Sequence, residues 1–224
     1  MTRPVVIAVD GPAASGKGTL AGRLARHFGF AHLDSGSLYR LTALHILRGH
    51  GNAASEADAV TAARAVNPAD AATLDLGGRD IAQAASIAAA VPQVRAELLD
   101  YQRRFAAEPP DGAAGAVIDG RDIGTIVCPD ADAKLFVDAA PEVRARRRWL
   151  ELSATDGNAS QAAILADILE RDGRDRARQA APLRAAPDAA LLDTTELDID
   201  AAFAAALVLV GPRIEEALKD RHRG

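Results

Sequence analysis

The chain has 224 residues and 23.3 kDa, of which 49% are hydrophobic and 25% charged, which excludes wholesale disorder, a collagen repeat and a disulfide-stapled scaffold. A net charge of −5 excludes a protein that coats DNA or RNA with a broadly basic surface, so any anion site must be local. Within these bounds, 52 residues are Ala, and Arg outnumbers Lys by 23 to 3. Residues Pro4 to Val9 form an unbroken β-branched apolar run, which predicts a strand buried on both faces, as in a parallel sheet. A glycine-rich turn follows. Lys17 to Phe28, with Leu20, Leu24 and Phe28 at four-residue spacing, reads as an amphipathic helix. Ala31 to Leu33 reads as a second strand, and Leu38, Leu41, Leu44, Ile46 and Leu47 mark a helix ending near Gly49.

From about residue 52 to 91 the composition shifts to Ala, Asp and Asn, and the segments flanking Gly77-Gly78 predict a small hairpin in an inserted excursion. A helix from about Gln83 to Phe105 follows, with Pro92 as a kink or boundary. Ala116 to Ile118 and Ala133 to Val137 read as strands, and a helix then runs through Val143, Arg147 and Leu150 to a polar break at Asp156-Gly157-Asn158. Residues 161–179 are helical and rich in Arg and Asp, Ala190 to Leu192 is the last strand, and Ile199 to Leu218 the closing helix. Five short strands alternating with helices imply an α/β fold with a parallel sheet, folded as one domain. The single Cys128 excludes an intramolecular disulfide, and the longest apolar run, Ala201 to Val210, is far below the ~18 residues of a membrane span. The expectation is a cytoplasmic monomer with no nucleic-acid or membrane partner.

The segment Gly11-Pro12-Ala13-Ala14-Ser15-Gly16-Lys17-Gly18-Thr19 leaves a predicted strand and opens a predicted helix. That is the context of a phosphate loop: backbone N–H groups and the helix N-terminus converge on phosphate oxygens, and Lys17 reaches the β and γ groups. Gly18 stands where many such loops place a metal-binding hydroxyl, and Thr19 comes one residue later. The spelling Gly-Lys-Gly-Thr resembles nucleoside monophosphate kinases. Between 171 and 178 the chain places four arginines, and a helix puts Arg171, Asp175 and Arg178 on one face with Arg174 beside them. A solvated salt-bridge ladder would have the same pattern. Gly173 weakens that reading, because it costs ~1 kcal/mol relative to Ala.

Asp34-Ser35-Gly36 with Tyr39-Arg40, Arg95 in Val94-Arg95-Ala-Glu-Leu-Leu, Asp119-Gly120-Arg121-Asp122-Ile-Gly124-Thr125, and Arg171-Asp172-Gly-Arg174-Asp175-Arg176-Ala-Arg178 resemble, in order, the motifs of the bacterial cytidylate kinases. The resemblance implies a P-loop kinase fold with a monophosphate-binding insert matching residues 52–91, while the arginine run, next to a phosphate loop and a polar break, reads as a short closing lid at about 153–178. It implies transfer of the ATP γ-phosphoryl to CMP or dCMP with Mg²⁺. It places Ser35, Arg95, Asp122 and Arg178 at the base, Arg40 and Arg121 at the CMP phosphate, and Ser86, Arg171 and Asp175 at the ribose. Arg174 and Arg176 are then left, beside Lys17 and Arg121, as candidates for the transferring phosphoryl. Thr19 and Asp119 are the candidate Mg²⁺ partners, mostly through water.

A phosphate acceptor is largely ionised near neutral pH, with a second pKa of ~6, so no general base is required. The task is to bring two polyanions together, and one well-placed arginine is worth on the order of 10³ to 10⁵ in rate. Cytosine offers an amino donor beside acceptors at N3 and O2, which a carboxylate flanked by guanidinium groups complements, so Asp122 with Arg95 and Arg178 favours cytosine. Other readings stay open from the residues alone. Asp34 and Ser35 also fit a helix cap, and Arg95 also fits a surface arginine. An alcohol acceptor would need Asp34 or Asp119 as base. A nucleotide switch without an acceptor would retain the phosphate loop.

Overall fold

The computed structural model describes residues 3–153 and 160–221. Five parallel strands form one sheet: β1 (Val5–Asp10), β2 (Ala31–Asp34), β3 (Gly115–Gly120), β4 (Ala133–Asp138) and β5 (Ala190–Asp193), in the order β2-β3-β1-β4-β5. Every residue of β1 is buried, as its unbroken apolar run requires. Side chains alternate across a strand, so β1 feeds two cores. Val5, Ile7 and Val9 pack with Leu20 and Leu24 of α1 (Lys17–Phe28). Val6 and Ala8 pack on the opposite face with Ile118, Ile123 and Val127. The closing helix Ile199–Arg221 covers the first of these faces with Val210 and Ile214.

Between α2 (Ser35–Arg48) and β3 the chain forms three helices: α3 (Glu56–Arg64), α4 (Arg79–Ala88) and α5 (Pro92–Ala107). Their shared core is built largely from Ala59, Ala62, Ala63, Ala84, Ala85 and Ala88 against Leu38, Val94 and Leu98. A part of the alanine bias thus has a place in the fold: small side chains let these helices approach closely. The hairpin expected around Gly77-Gly78 does not form. Residues Pro68–Ala72 make a 3₁₀ turn, and Arg79-Asp80-Ile81 is the first turn of α4, entered from Gly78 at φ 87°. Alternation over three residues cannot outweigh the helical run of alanines that follows. Pro92 is a boundary, sitting at the first turn of α5, where its missing N–H costs nothing.

After β4, α6 (Pro141–Ser153) and α7 (Gln161–Ala177) pack on each other through Ala145, Ile164 and Ile168, with Trp149 and the loop residue Ala14 against them. Ile199–Arg221 is α8. The polar break expected at Asp156-Gly157-Asn158 lies outside the described residues. Among the described residues, no helix is long and apolar enough to cross a membrane. The register aligns Asp10 with Gly120 and Asp34 with Asp119, so the carboxyl ends of three strands reach one edge. There β1 leads into α1 while β3 and β4 lie on opposite sides of it, the switch point where open α/β sheets bind ligands.

Candidate active site at the carboxyl ends of the central strands

The loop from Gly11 to Thr19 wraps the N-terminus of α1. A Cβ on Gly11 would lie 2.0 Å from the Val137 carbonyl oxygen, so only glycine lets the chain leave β1 past β4. Gly16, at φ 86°, caps α1 in the left-handed region, which glycine adopts without strain. Two side chains brace the loop from outside: Thr194 Oγ1 donates to Ser15 O at 3.1 Å, and Arg144 Nη1 donates to Ala13 O at 3.2 Å. Lys17 Nζ donates to Pro12 O at a long 3.4 Å. Burial, reinforced by Arg121, pushes its pKa down to about 7. This ammonium gains most from an incoming polyanion.

A cavity of about 570 Å³ extends from Ala13, Ala14 and Lys17 to Arg95 and Asp122, with α4 on one wall and α7 on another. Its lining carries eight basic against six acidic side chains, so a chain of net −5 encloses a locally basic cleft. Arg95 and Asp122 form an ion pair, and the Arg95 guanidinium lies 5.4 Å from the Tyr39 ring centroid. Arg95 is therefore no surface arginine. Ser35 Oγ donates to Asp119 O at 2.7 Å, tying α2 to β3. Asp34 is the N-cap residue of α2 but makes no capping hydrogen bond with its side chain, which pairs with Arg40 instead. Burial raises the Asp34 pKa, but Arg40 and Lys17 outweigh it and hold the carboxyl below its usual range.

Asp175 is fully buried on α7 and organises three arginines: Arg121 Nε at 3.0 Å, Arg171 Nε at 4.0 Å, and Arg178, which donates to its second oxygen. Its burial favours the neutral acid, yet the arginines prevail and its pKa lies below the usual carboxylate value. One carboxylate does not neutralise three guanidinium groups. Among the described residues Arg171 Nε is buried without a hydrogen-bond partner, and burial with repulsion from Arg121 lowers its pKa to about 10. The surplus charge is suited to a phosphate. Ser86 sits in the lining and accepts from Arg174 Nη1 at 2.8 Å.

Arg174 and Arg176, by contrast, do not line the cavity: Arg174 spans from Ser86 to Glu170, and Arg176 is exposed, 4.0 Å from Asp172. Asp119 is buried, with Oδ1 2.9 Å from His32 Nε2, while Oδ2 faces Gly18, where an added Cβ would lie 3.6 Å away. Thr19 is exposed on the first turn of α1. Hard oxygen donors of this kind, completed by phosphate and water, suit Mg²⁺. Among the described residues no cluster of three His, Cys, Asp or Glu side chains could hold an ion by itself.

Several site residues escape sequence reasoning. Asp10, at the end of β1, accepts the N–H groups of Ile123 and Gly124 at 2.8 Å each and so shapes the turn that presents Arg121 and Asp122. Its burial pushes its pKa up to about 7. Arg144, Arg147 and Arg148 share one face of α6: Arg148 lines the cavity, and Arg147 holds Thr194 through both its hydroxyl and carbonyl. The i, i+3, i+4 spacing places these arginines on one face but does not tell which of them turns inward. His32 carried no readable signal.

A family model described as cytidylate kinase matches residues 7–210. The chain belongs to the cytidylate kinase family. A cytidylate kinase of Methylocella silvestris is 56% identical over 207 residues, covering 92% of this chain and 94% of that one. Another cytidylate kinase, from Cereibacter sphaeroides, is 57% identical over 196 residues, covering 88% and 90%. A solved structure of an uncharacterized protein from Eubacterium ventriosum gives a TM-score of 0.53 at 13% identity, covering 92% of this chain and 98% of that one, a likeness of fold alone. Membership of the cytidylate kinase family agrees with the motif order along the chain and with the P-loop α/β sheet that positions it.

Proposed function

We propose that the chain transfers the γ-phosphoryl group of ATP to CMP or dCMP, giving ADP and CDP or dCDP. The observation that carries this reading is one cavity with a phosphate loop at one end and a buried carboxylate–guanidinium pair, Asp122 with Arg95, at the other. Backbone N–H groups of Gly11 to Thr19 and the ammonium of Lys17 hold the β- and γ-phosphates. Arg40 and Arg121 hold the acceptor phosphate, with Ser86, Arg171 and Asp175 at the ribose. The cytosine amino group donates to Asp122, while Arg95, Arg178 and Ser35 serve its acceptors. The segment 52–91, with helices α3 and α4, acts as the acceptor insert, and α7, within the lid expected at about 153–178, brings the arginines over the phosphates.

No side chain needs to remove a proton, because the attacking oxygen belongs to an ionised phosphate. An alcohol acceptor fits poorly, since Asp34 is engaged with Arg40 and Asp119 with His32. Mg²⁺, bound together with ATP, would supply positive charge against the charge that develops on the phosphates. Thr19 and Asp119 would hold it, mostly through water. The deciding assay follows ADP release from MgATP with CMP, dCMP, UMP, AMP or no acceptor. Fast release with CMP and dCMP alone is the expected result. Turnover independent of acceptor would overturn the reading.

A further inference from the structure

Arg144 is the largest fully buried side chain of the described residues, 1% exposed, and the transfer reaction as derived above gives it no role. Its guanidinium joins three pieces of the site. Nε donates to Ala139 O at 2.8 Å, where the chain turns from β4 into α6. Nη1 donates to Ala13 O at 3.2 Å inside the phosphate loop. Both Nη1 and Nη2 donate to the Asp172 carboxylate on α7, at 3.2 and 2.6 Å. Asp172 is itself 2% exposed, with the exposed Arg176 at 4.0 Å.

A buried ion pair is a poor device for stability alone, because desolvation offsets the attraction and an apolar pair of similar volume often serves as well. The apolar contacts of Ala145 with Ile164 and Ile168 already join α6 to α7. What the pair adds is direction. A planar fork bound to both oxygens of a carboxylate fixes orientation as well as distance. Here it fixes the rotation of α7 relative to the Ala13 carbonyl. The neighbours of Asp172 on that rigid helix are Arg171 and Asp175, which line the acceptor end of the cavity. Any adjustment of Ala13 as phosphates load the loop therefore reaches the acceptor groups through one guanidinium.

We propose that Arg144 and Asp172 are positioning residues that make the two nucleotide ends of the cavity interdependent, so that a loaded phosphate loop tightens binding of the acceptor monophosphate. Linkage makes the effect reciprocal: bound monophosphate tightens the loop's hold on ATP. The inference rests on the phosphotransfer reading above.

The test titrates CMP calorimetrically into the full chain, with and without a saturating non-hydrolysable ATP analogue and Mg²⁺. The proteins are wild type, Arg144→Lys, and the double variant Arg144→Met with Asp172→Leu. In wild type the analogue is expected to tighten CMP by a factor within the common range of about 5 to 150. In both variants that factor falls to within about twofold of unity. The double variant keeps the buried volume without charge. Arg144→Lys keeps the charge without the fork, and it decides the matter if the double variant fails to fold. Coupling retained in the variants, absent in wild type, or unchanged beneath a uniform loss of affinity would overturn the assignment. Failure of wild type to bind CMP at all would sink the phosphotransfer reading itself, a different result from binding without coupling.

Discussion

Arg95 and Asp122, 27 residues apart in sequence, meet as an ion pair whose side chains are only 11% and 6% exposed, with α5 supplying the guanidinium and the turn after β3 the carboxylate. So little water reaches the pair that a base must satisfy it or leave it short of partners. Cytosine donates where uracil accepts, and a site built for one hydrogen-bond pattern can reject the other by up to ~10⁴ to 10⁵. Asp122→Ala should therefore lower kcat/KM for CMP on the order of 10³-fold and for UMP by less than about tenfold. Steady-state kinetics with both acceptors at saturating MgATP measure this. An equal loss for the two bases would make Asp122 a structural residue only.

Lys17 titrates close to neutrality in the free protein because burial and Arg121 together disfavour its charge. Bound phosphates reverse that preference and raise its pKa. Below about pH 7 the ammonium is already charged and ATP affinity should be flat with respect to this group. Above it, binding must take up a proton, and affinity should fall by up to about tenfold per pH unit until the pKa of the complex is passed. Calorimetry at pH 8 in two buffers of different ionisation enthalpy should register uptake of about one proton, and none in Lys17→Arg. Uptake by the arginine variant would assign the proton elsewhere.

The strands were legible because β1 is buried on both faces and its sequence has no polar interruption. The face of α7 was equally legible: spacings of four and seven place Arg171, Asp175 and Arg178 together, and all three line the cavity. Arg176 falls on the other side of the helix by the same arithmetic, and the attraction of an arginine-rich segment obscured this. Arg144 could not be singled out within Arg144-Ala145-Arg146-Arg147-Arg148. In sequence it resembles its solvated neighbour Arg146, and only the packing of α7 against α6 turns it inward. The expected hairpin failed for a related reason, since local alternation gave way to an alanine core assembled from four helices.

Two glycines of the phosphate loop should respond differently to the same added methyl group. At Gly11 a Cβ would collide with Val137 O, so Gly11→Ala must push the loop off β4, whereas at Gly16 nothing lies within 4 Å and the obstacle is the φ of 86°. Gly11→Ala is expected to destabilise the fold by ~1 to 3 kcal/mol, with ATP affinity reduced on the order of 10²-fold through the displaced loop. Gly16→Ala is expected to cost ~1 to 2 kcal/mol of conformational strain, the penalty for an L-residue in the left-handed region. Thermal denaturation and nucleotide titration separate the cases. Wild-type affinity in Gly11→Ala would mean that β4 yields instead of the loop.

Arg171 and Arg176 share a helix but not an environment. Arg171 lines the cavity with its Nε buried and, among the described residues, without a hydrogen bond, 4.0 Å from Asp175, while Arg176 is exposed and stands 4.0 Å from an aspartate already held by Arg144. A guanidinium kept short of partners beside Arg121 and Arg178 is poised for an anion, and its surplus charge is released only when phosphate or ribose oxygens arrive. Arg171→Gln should then lower kcat/KM for CMP by about 10² to 10³. Arg176→Gln, which removes a screened surface charge, should change it by less than about threefold. Melting temperatures near wild type would confirm that neither loss reflects unfolding. Comparable kinetic losses in the two variants would show that α7 presents a different face to the phosphates during turnover, and would restore Arg176 as a catalytic residue.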